Sequence, residues 1–140
     1  MTDDEKLALA EAYRQATATN DAGALRAIHE PHATTWHNHD GLSASIDDSA
    51  RSLAWLHRKV PDLRLDDVRT VLTSEGFVLR WTMTGVAPGG PFRLHSCVVV
   101  ELSPAGKVTH VAEYLDSAQL GVLRSVVVDD GSEAADEVGA

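Results

Sequence analysis

Apolar residues first recur at helical intervals. Leu9, Tyr13 and Ala16 share a face, and Thr2-Asp-Asp-Glu5 ahead of them has the spacing of a capping box, so a helix is predicted over about 3–18. Asn20-Asp21 breaks the pattern and caps a second, short helix with Leu25 and Ile28 on one face, which Glu30-Pro31 ends. Ala33-Thr-Thr-Trp-His-Asn38 is rich in β-branched and aromatic residues and reads as a strand, closed by the turn residues His39-Asp40-Gly41. Ser45 or Asp47 caps a third helix that runs to about Lys59, with Ile46, Leu53 and Leu56 on one side and Pro61 stopping it.

Beyond Pro61 the period shortens. Strands are predicted over about 63–74, 77–87, 92–102 and 107–115, separated by Glu75-Gly76, Pro88-Gly-Gly-Pro91 and Ser103-Pro-Ala-Gly106. Three helices followed by an antiparallel meander is an α+β order, because parallel βαβ units would need helices between the late strands. Long strands around one set of helices predict a curved half-barrel that encloses an apolar cavity. A sheet face bearing Trp36, Val99 and Phe77 would need covering, and a homodimer is expected.

Charge changes the picture mainly by exclusion. The 140 residues carry a net charge of −9, which argues against nucleic-acid and anionic-lipid partners. Five negative charges fall in residues 129–140, a stretch with no basic residue and only Val138 as a larger apolar side chain, so a domain over 1–128 and a disordered acidic tail over 129–140 are expected. The polar, acidic start Met1–Lys6 lacks the order of a signal peptide, no apolar run approaches membrane-spanning length, and a cytoplasmic protein is expected. Cys97 is the single cysteine, so no internal disulfide exists; on an apolar strand it reads as an inert core thiol.

Candidate chemistry concentrates in a few polar side chains. His37 titrates near neutrality and suits a general base on a strand facing a dry pocket; His39 shares its face, while Trp36 and Asn38 point the other way. Asp40 reads as an Asx turn that could also orient an imidazole. Val111, Glu113 and Leu115 alternate onto one side of the last strand, where a carboxylate among apolar neighbours is a usable acid or base; pairing with Arg80 at the surface is the alternative. Trp55, Trp81 and Met83 would line an apolar cavity. His29, His32, His37 and His39 are dense but match no metal-ligand spacing, and the glycine-rich turns lack a phosphate-loop context, so no metal and no cofactor is expected.

Three stretches carry a family resemblance: Tyr13 with Asn20-Asp21, Ala33-Thr-Thr-Trp-His37, and Ala105-Gly-Lys-Val-Thr-His-Val-Ala-Glu-Tyr-Leu-Asp116. With the order of elements, they make residues 3–123 resemble the ketosteroid isomerase and SnoaL-like superfamily, also called nuclear transport factor two-like. The resemblance implies a cone-shaped α+β barrel, with three N-terminal helices packed in a strongly curved antiparallel or mixed sheet, and frequent dimers. It includes steroid isomerases, limonene epoxide hydrolase, scytalone dehydratase and polyketide cyclases, so it names a pocket and not a reaction.

By that resemblance Tyr13 falls on the oxyanion-hole tyrosine, His37 on the catalytic base, and Glu113 on the carboxylate that epoxide hydrolases and polyketide cyclases present from the last strand. Val98 stands where, by the same resemblance, the isomerases carry a protonated aspartate that donates to the oxyanion. Half of that oxyanion hole is therefore missing, which argues against authentic ketosteroid isomerase activity. The resulting expectation is a cofactor-independent proton-transfer enzyme on a small apolar molecule, an isomerase, cyclase or epoxide-hydrolase-like protein. His37, Tyr13 and Glu113 would be catalytic, and Trp55, Trp81, Met83, Val98, Val111 and His39 would contact substrate. Two alternatives stay open: a non-catalytic binding module for a hydrophobic metabolite, and a homodimeric interaction protein with no open pocket.

Overall fold

A computed structural model describes residues 1–124 of the chain. The expected acidic tail, and the last residues of the expected 1–128 domain, lie outside the described residues. The elements run α1 (Asp3–Thr19), α2 (Ala22–Ala27), β1 (His29–His37), β2 (Ser43–Ser45), α3 (Ile46–Lys59), β3 (Arg64–Leu72), β4 (Gly76–Ala87), β5 (Gly90–Leu102) and β6 (Val108–Leu115), followed by a 3-10 turn (Ser117–Gln119) and α4 (Leu120–Arg124).

Local chemistry accounts for most boundaries. Thr2 Oγ1 accepts from Glu5 N at 3.1 Å while Glu5 Oε2 accepts from Thr2 N at 3.0 Å, so the capping box forms and satisfies two otherwise orphan donors. Asn20 ends α1 in the left-handed conformation (φ 55°), which its short polar side chain tolerates. Asp21 caps α2 and Ser45 caps α3, each accepting from the backbone three residues on. Strand β1 starts before Pro31, earlier than its composition predicts. Its ladder to β6 breaks between His29 and Thr34, where the proline has no N–H to contribute. Gly76 opens β4 because a Cβ there would lie 2.2 Å from the Val100 carbonyl oxygen of the neighbouring strand.

The six strands form one mixed sheet in the order β2-β1-β6-β5-β4-β3. From β3 to β6 neighbours are antiparallel, and β6 then pairs in parallel with β1, which closes the sequence meander onto the first strand. This corrects the expected cone-shaped, strongly curved barrel. β2 and β3 are the two ends of the order and do not pair with each other, so the sheet stays open. The extra edge strand β2 is only three residues long.

The helices cover one face. Phe77, Leu79, Trp81 and Met83 of β4, Phe92, Leu94, Val98 and Val100 of β5, and Val108 and Val111 of β6 are buried beneath them with Ala10 and Tyr13 of α1. Phe77, expected on the open face, is wholly buried here instead, because the β4 register sets it on the same side as Trp81. The open face carries Trp36 and Tyr114, whose rings meet edge to face at 5.4 Å, and half-buried Val99 and Cys97. Among the described residues no helix is long and apolar enough to cross a membrane.

Candidate active site

The parallel β1–β6 pair sets His37 directly across from Glu113. Alternation turns both side chains inward, since Val111 on the same face of β6 is wholly buried. His37 Nε2 lies 3.3 Å from Glu113 Oε1. Each side chain is largely buried, so the pair is less screened than a surface ion pair. Hydrogen bonding to Glu113 raises the His37 pKa above its usual 6.5; burial opposes this, and the charges of Glu113 and Asp40 add to it. Asn38, the next residue, clasps the same two strands: its Oδ1 accepts from Leu115 N at 2.9 Å and its Nδ2 donates to Leu115 O at 3.3 Å.

The pair stands on the wall of a cavity of about 130 Å³. Tyr13, Trp81 and Met83 line it too, whereas Trp55, Val98 and Val111 pack in the core and are not on its wall. His39 is also off the wall; its ring meets that of His37 at 5.5 Å, and its Nε2 lies 3.4 Å from Asp40 Oδ2. Asp40 Oδ1 meanwhile accepts from Leu42 N at 2.9 Å, which is the expected Asx turn.

Tyr13 sits in an aromatic cradle. Its ring stacks on Trp81 at 6.3 Å, meets Phe77 edge to face at 6.4 Å and tilts against His29 at 5.8 Å. Burial drives its phenol pKa far above the ordinary 10, with the Glu113 charge adding to the effect. Its hydroxyl is therefore held neutral, a permanent donor.

Several wall residues escaped the sequence reading. Thr17 lies one helical turn beyond Tyr13, and Ile46, Ser49, Leu53 and Leu56 of α3 bring an apolar stripe with a serine set into it. A hydroxyl on an otherwise apolar helical face was the available signal. His29, weighed only as a metal ligand, also lines the cavity; its Nδ1 lies 2.6 Å from the Leu25 carbonyl oxygen, and burial lowers its pKa. Among the described residues no group of three or more His, Cys, Asp or Glu is arranged to hold a metal ion.

An open sheet roofed by helices over a small cavity, with an imidazole–carboxylate pair on one wall and a buried phenol on another, defines a small-molecule pocket domain. The chain belongs to the SnoaL-like domain family, whose pattern matches residues 10–111. Among solved structures it is similar to PrhC from Penicillium brasilianum (TM-score 0.80, 14% identity, covering 98% of this chain and 95% of that one). It is also similar to AusH from Aspergillus nidulans (TM-score 0.69, 19% identity, 83% and 86%) and to IdmH, a candidate polyketide cyclase from Streptomyces antibioticus (TM-score 0.72, 15% identity, 84% and 97%). At these identities the likenesses establish the fold. No curated protein matches the sequence.

Proposed function

We propose that the chain is a proton-transfer enzyme acting on a small apolar molecule, in the manner of an isomerase, cyclase or epoxide hydrolase. The observation that carries this reading is the His37–Glu113 pair at 3.3 Å on the wall of a cavity that also presents Tyr13. When His37 donates its Nε2–H to Glu113, the lone pair of the neutral ring lies on Nδ1, which is then the basic nitrogen. After it accepts a proton, the Glu113 carboxylate stabilises the imidazolium, and the neutral Tyr13 hydroxyl can donate to oxygen that becomes negative. The apolar share of the wall, Leu25, Ile46, Leu53, Leu56, Trp81 and Met83, favours a largely hydrocarbon substrate. The candidate polyketide cyclase among the structural neighbours supports the same chemistry.

Only the neutral ring of His37 can act as base, so kcat/KM should rise with pH to a plateau, with a midpoint above 6.5 in the native protein. Glu113→Gln removes the principal influence that raises that pKa, and the midpoint should move to lower pH while the plateau falls. A midpoint unchanged in the pH profile of the variant would detach Glu113 from the base. A ligand that binds and always returns chemically unaltered would favour the binding-module reading.

We also propose that two copies pair through the open sheet face. The Trp36–Tyr114 cluster with Val99 is apolar, and Tyr114 is 48% exposed in the single chain. Light scattering at micromolar concentration should give twice the chain mass, and Tyr114→Lys should return it to that of one chain. A monomeric native protein refutes the pairing.

A further inference from the structure

His29 offers the cavity an acceptor that the protein leaves unused. The residue lines the cavity and is only 5% exposed. Its Nδ1 lies 2.6 Å from the Leu25 carbonyl oxygen, and a carbonyl only accepts, so Nδ1 carries the proton. Burial lowers the pKa of the ring, although the bond to Leu25 opposes this, and the ring is neutral near pH 7. The lone pair therefore sits on Nε2. Among the described residues no hydrogen bond reaches that nitrogen, yet it is not one of the shut-in polar atoms, as the unpaired Trp81 Nε1 and Ser49 Oγ of the same wall are. With so little of the residue exposed, the space that Nε2 reaches is the cavity it lines.

Position sets what such an acceptor can hold. Tyr13 tilts its ring against His29 at 5.8 Å without hydrogen-bonding to it, so the adjoining phenol does not consume the lone pair. On β6 the register partners of His29 and His37 are Val108 and Glu113, five residues apart, or about 17 Å at the usual rise. The two imidazoles thus address different parts of a ligand. An ammonium would lose its hydration among Leu25, Ile46, Leu53 and Leu56, which favours an uncharged donor. A hydroxyl reproduces the hydrogen bond that water can make to Nε2, whereas an apolar group in its place forfeits it.

We infer that His29 Nε2 accepts a hydrogen bond from a hydroxyl of the ligand, and that the cavity selects a small, mainly apolar alcohol or phenol. This rests on the small-molecule reading of the same cavity and gives it a substrate class. The hydroxyl keeps its proton, so His29 is a binding group and His37 retains the role of base. A cavity of about 130 Å³ is close to the ~150 Å³ engineered cavity that holds one benzene ring, so a single-ring ligand fits its scale. Phenol is the simplest ligand of that kind.

The test uses phenol, anisole and toluene, one-ring probes of which only phenol donates a hydrogen bond. In the native chain with 15N-labelled histidine, assigned through single variants of the other histidines, Nε2 of His29 should be the unprotonated nitrogen near pH 7. Phenol should move its signal upfield, and anisole and toluene should not. His29→Phe should weaken phenol binding about tenfold and leave anisole and toluene within about twofold. Equal weakening of all three probes, a proton found on Nε2, or a stationary Nε2 signal with phenol bound reduces His29 to packing and overturns the inference. A native chain that binds none of the probes overturns it too. The native-chain spectrum gives its answer even if His29→Phe fails to fold. An Nε2 signal that responds to phenol in a protein whose turnover ignores His37→Gln would sink the proton-transfer reading alone. Turnover lost in His37→Gln with a stationary Nε2 signal would sink the His29 inference alone.

Discussion

Replacing His37 with glutamine is expected to lower turnover by about 100-fold or more, the usual size of a positioned general base. Glutamine keeps a polar, similarly sized side chain on β1 and can still hydrogen-bond Glu113, but it has no nitrogen that takes up a proton near neutral pH. The cavity, the strand pairing and the aromatic cradle of Tyr13 depend on other residues, so binding of a one-ring ligand should persist while turnover falls. The measurement is exchange of α-protons for deuterium in one-ring ketones that carry a hydroxyl, followed by NMR, with phenol affinity as the companion. Exchange at the native rate would remove His37 from the chemistry. Loss of exchange together with loss of binding and of the melting transition would show only a damaged fold, which is why Glu113→Gln and its pH midpoint accompany it.

The second large effect is on stability. Phe77→Ala should cost about 3–5 kcal/mol, since it empties a fully buried aromatic site whose surroundings close only partly. Set against a typical total of about 5–15 kcal/mol, this is a large fraction of the fold's stability. The loss is coupled to the candidate site, because Phe77 meets the ring of Tyr13 edge to face and holds one side of its cradle. Urea unfolding should therefore show a lower midpoint, and oxyanion-dependent turnover should fall even where the variant remains folded. Val86→Ala is the control: the side chain is 60% exposed, and the change should stay within about 0.5 kcal/mol. A Phe77→Ala cost no larger than the control's would contradict the buried placement.

What the sequence revealed follows from how local each cause is. Helix starts were legible at Thr2-Asp-Asp-Glu5, Asp21 and Ser45 because a cap acts over three residues. The late strands were legible because glycine and proline punctuate them. Closure was not, because whether β2 and β3 meet depends on register summed across four intervening strands, and no local pattern encodes that sum. The three-residue β2 was missed because Ser43-Ala-Ser45 shows no apolar alternation. Phe77 was set on the wrong face because its side is fixed by the register of β4 against its neighbours and not by composition. At the site, Tyr13, His37 and Glu113 were named through a family resemblance. Ser49, Thr17 and His29 on the wall, and the unpaired indole of Trp81, became visible only when the helices were placed over the sheet.

The Asn38 clasp on Leu115 joins positions 77 residues apart, beside the parallel ladder that brings His37 to Glu113. Such contacts need a long loop closure, whereas β3, β4 and β5 can pair through short turns. His37 and Glu113 therefore do not exist as a pair until the last strand docks against the first. On the proposed reading, activity would arise late and all at once in folding, and turnover would report completion of the sheet more stringently than helix content or partial strand pairing does.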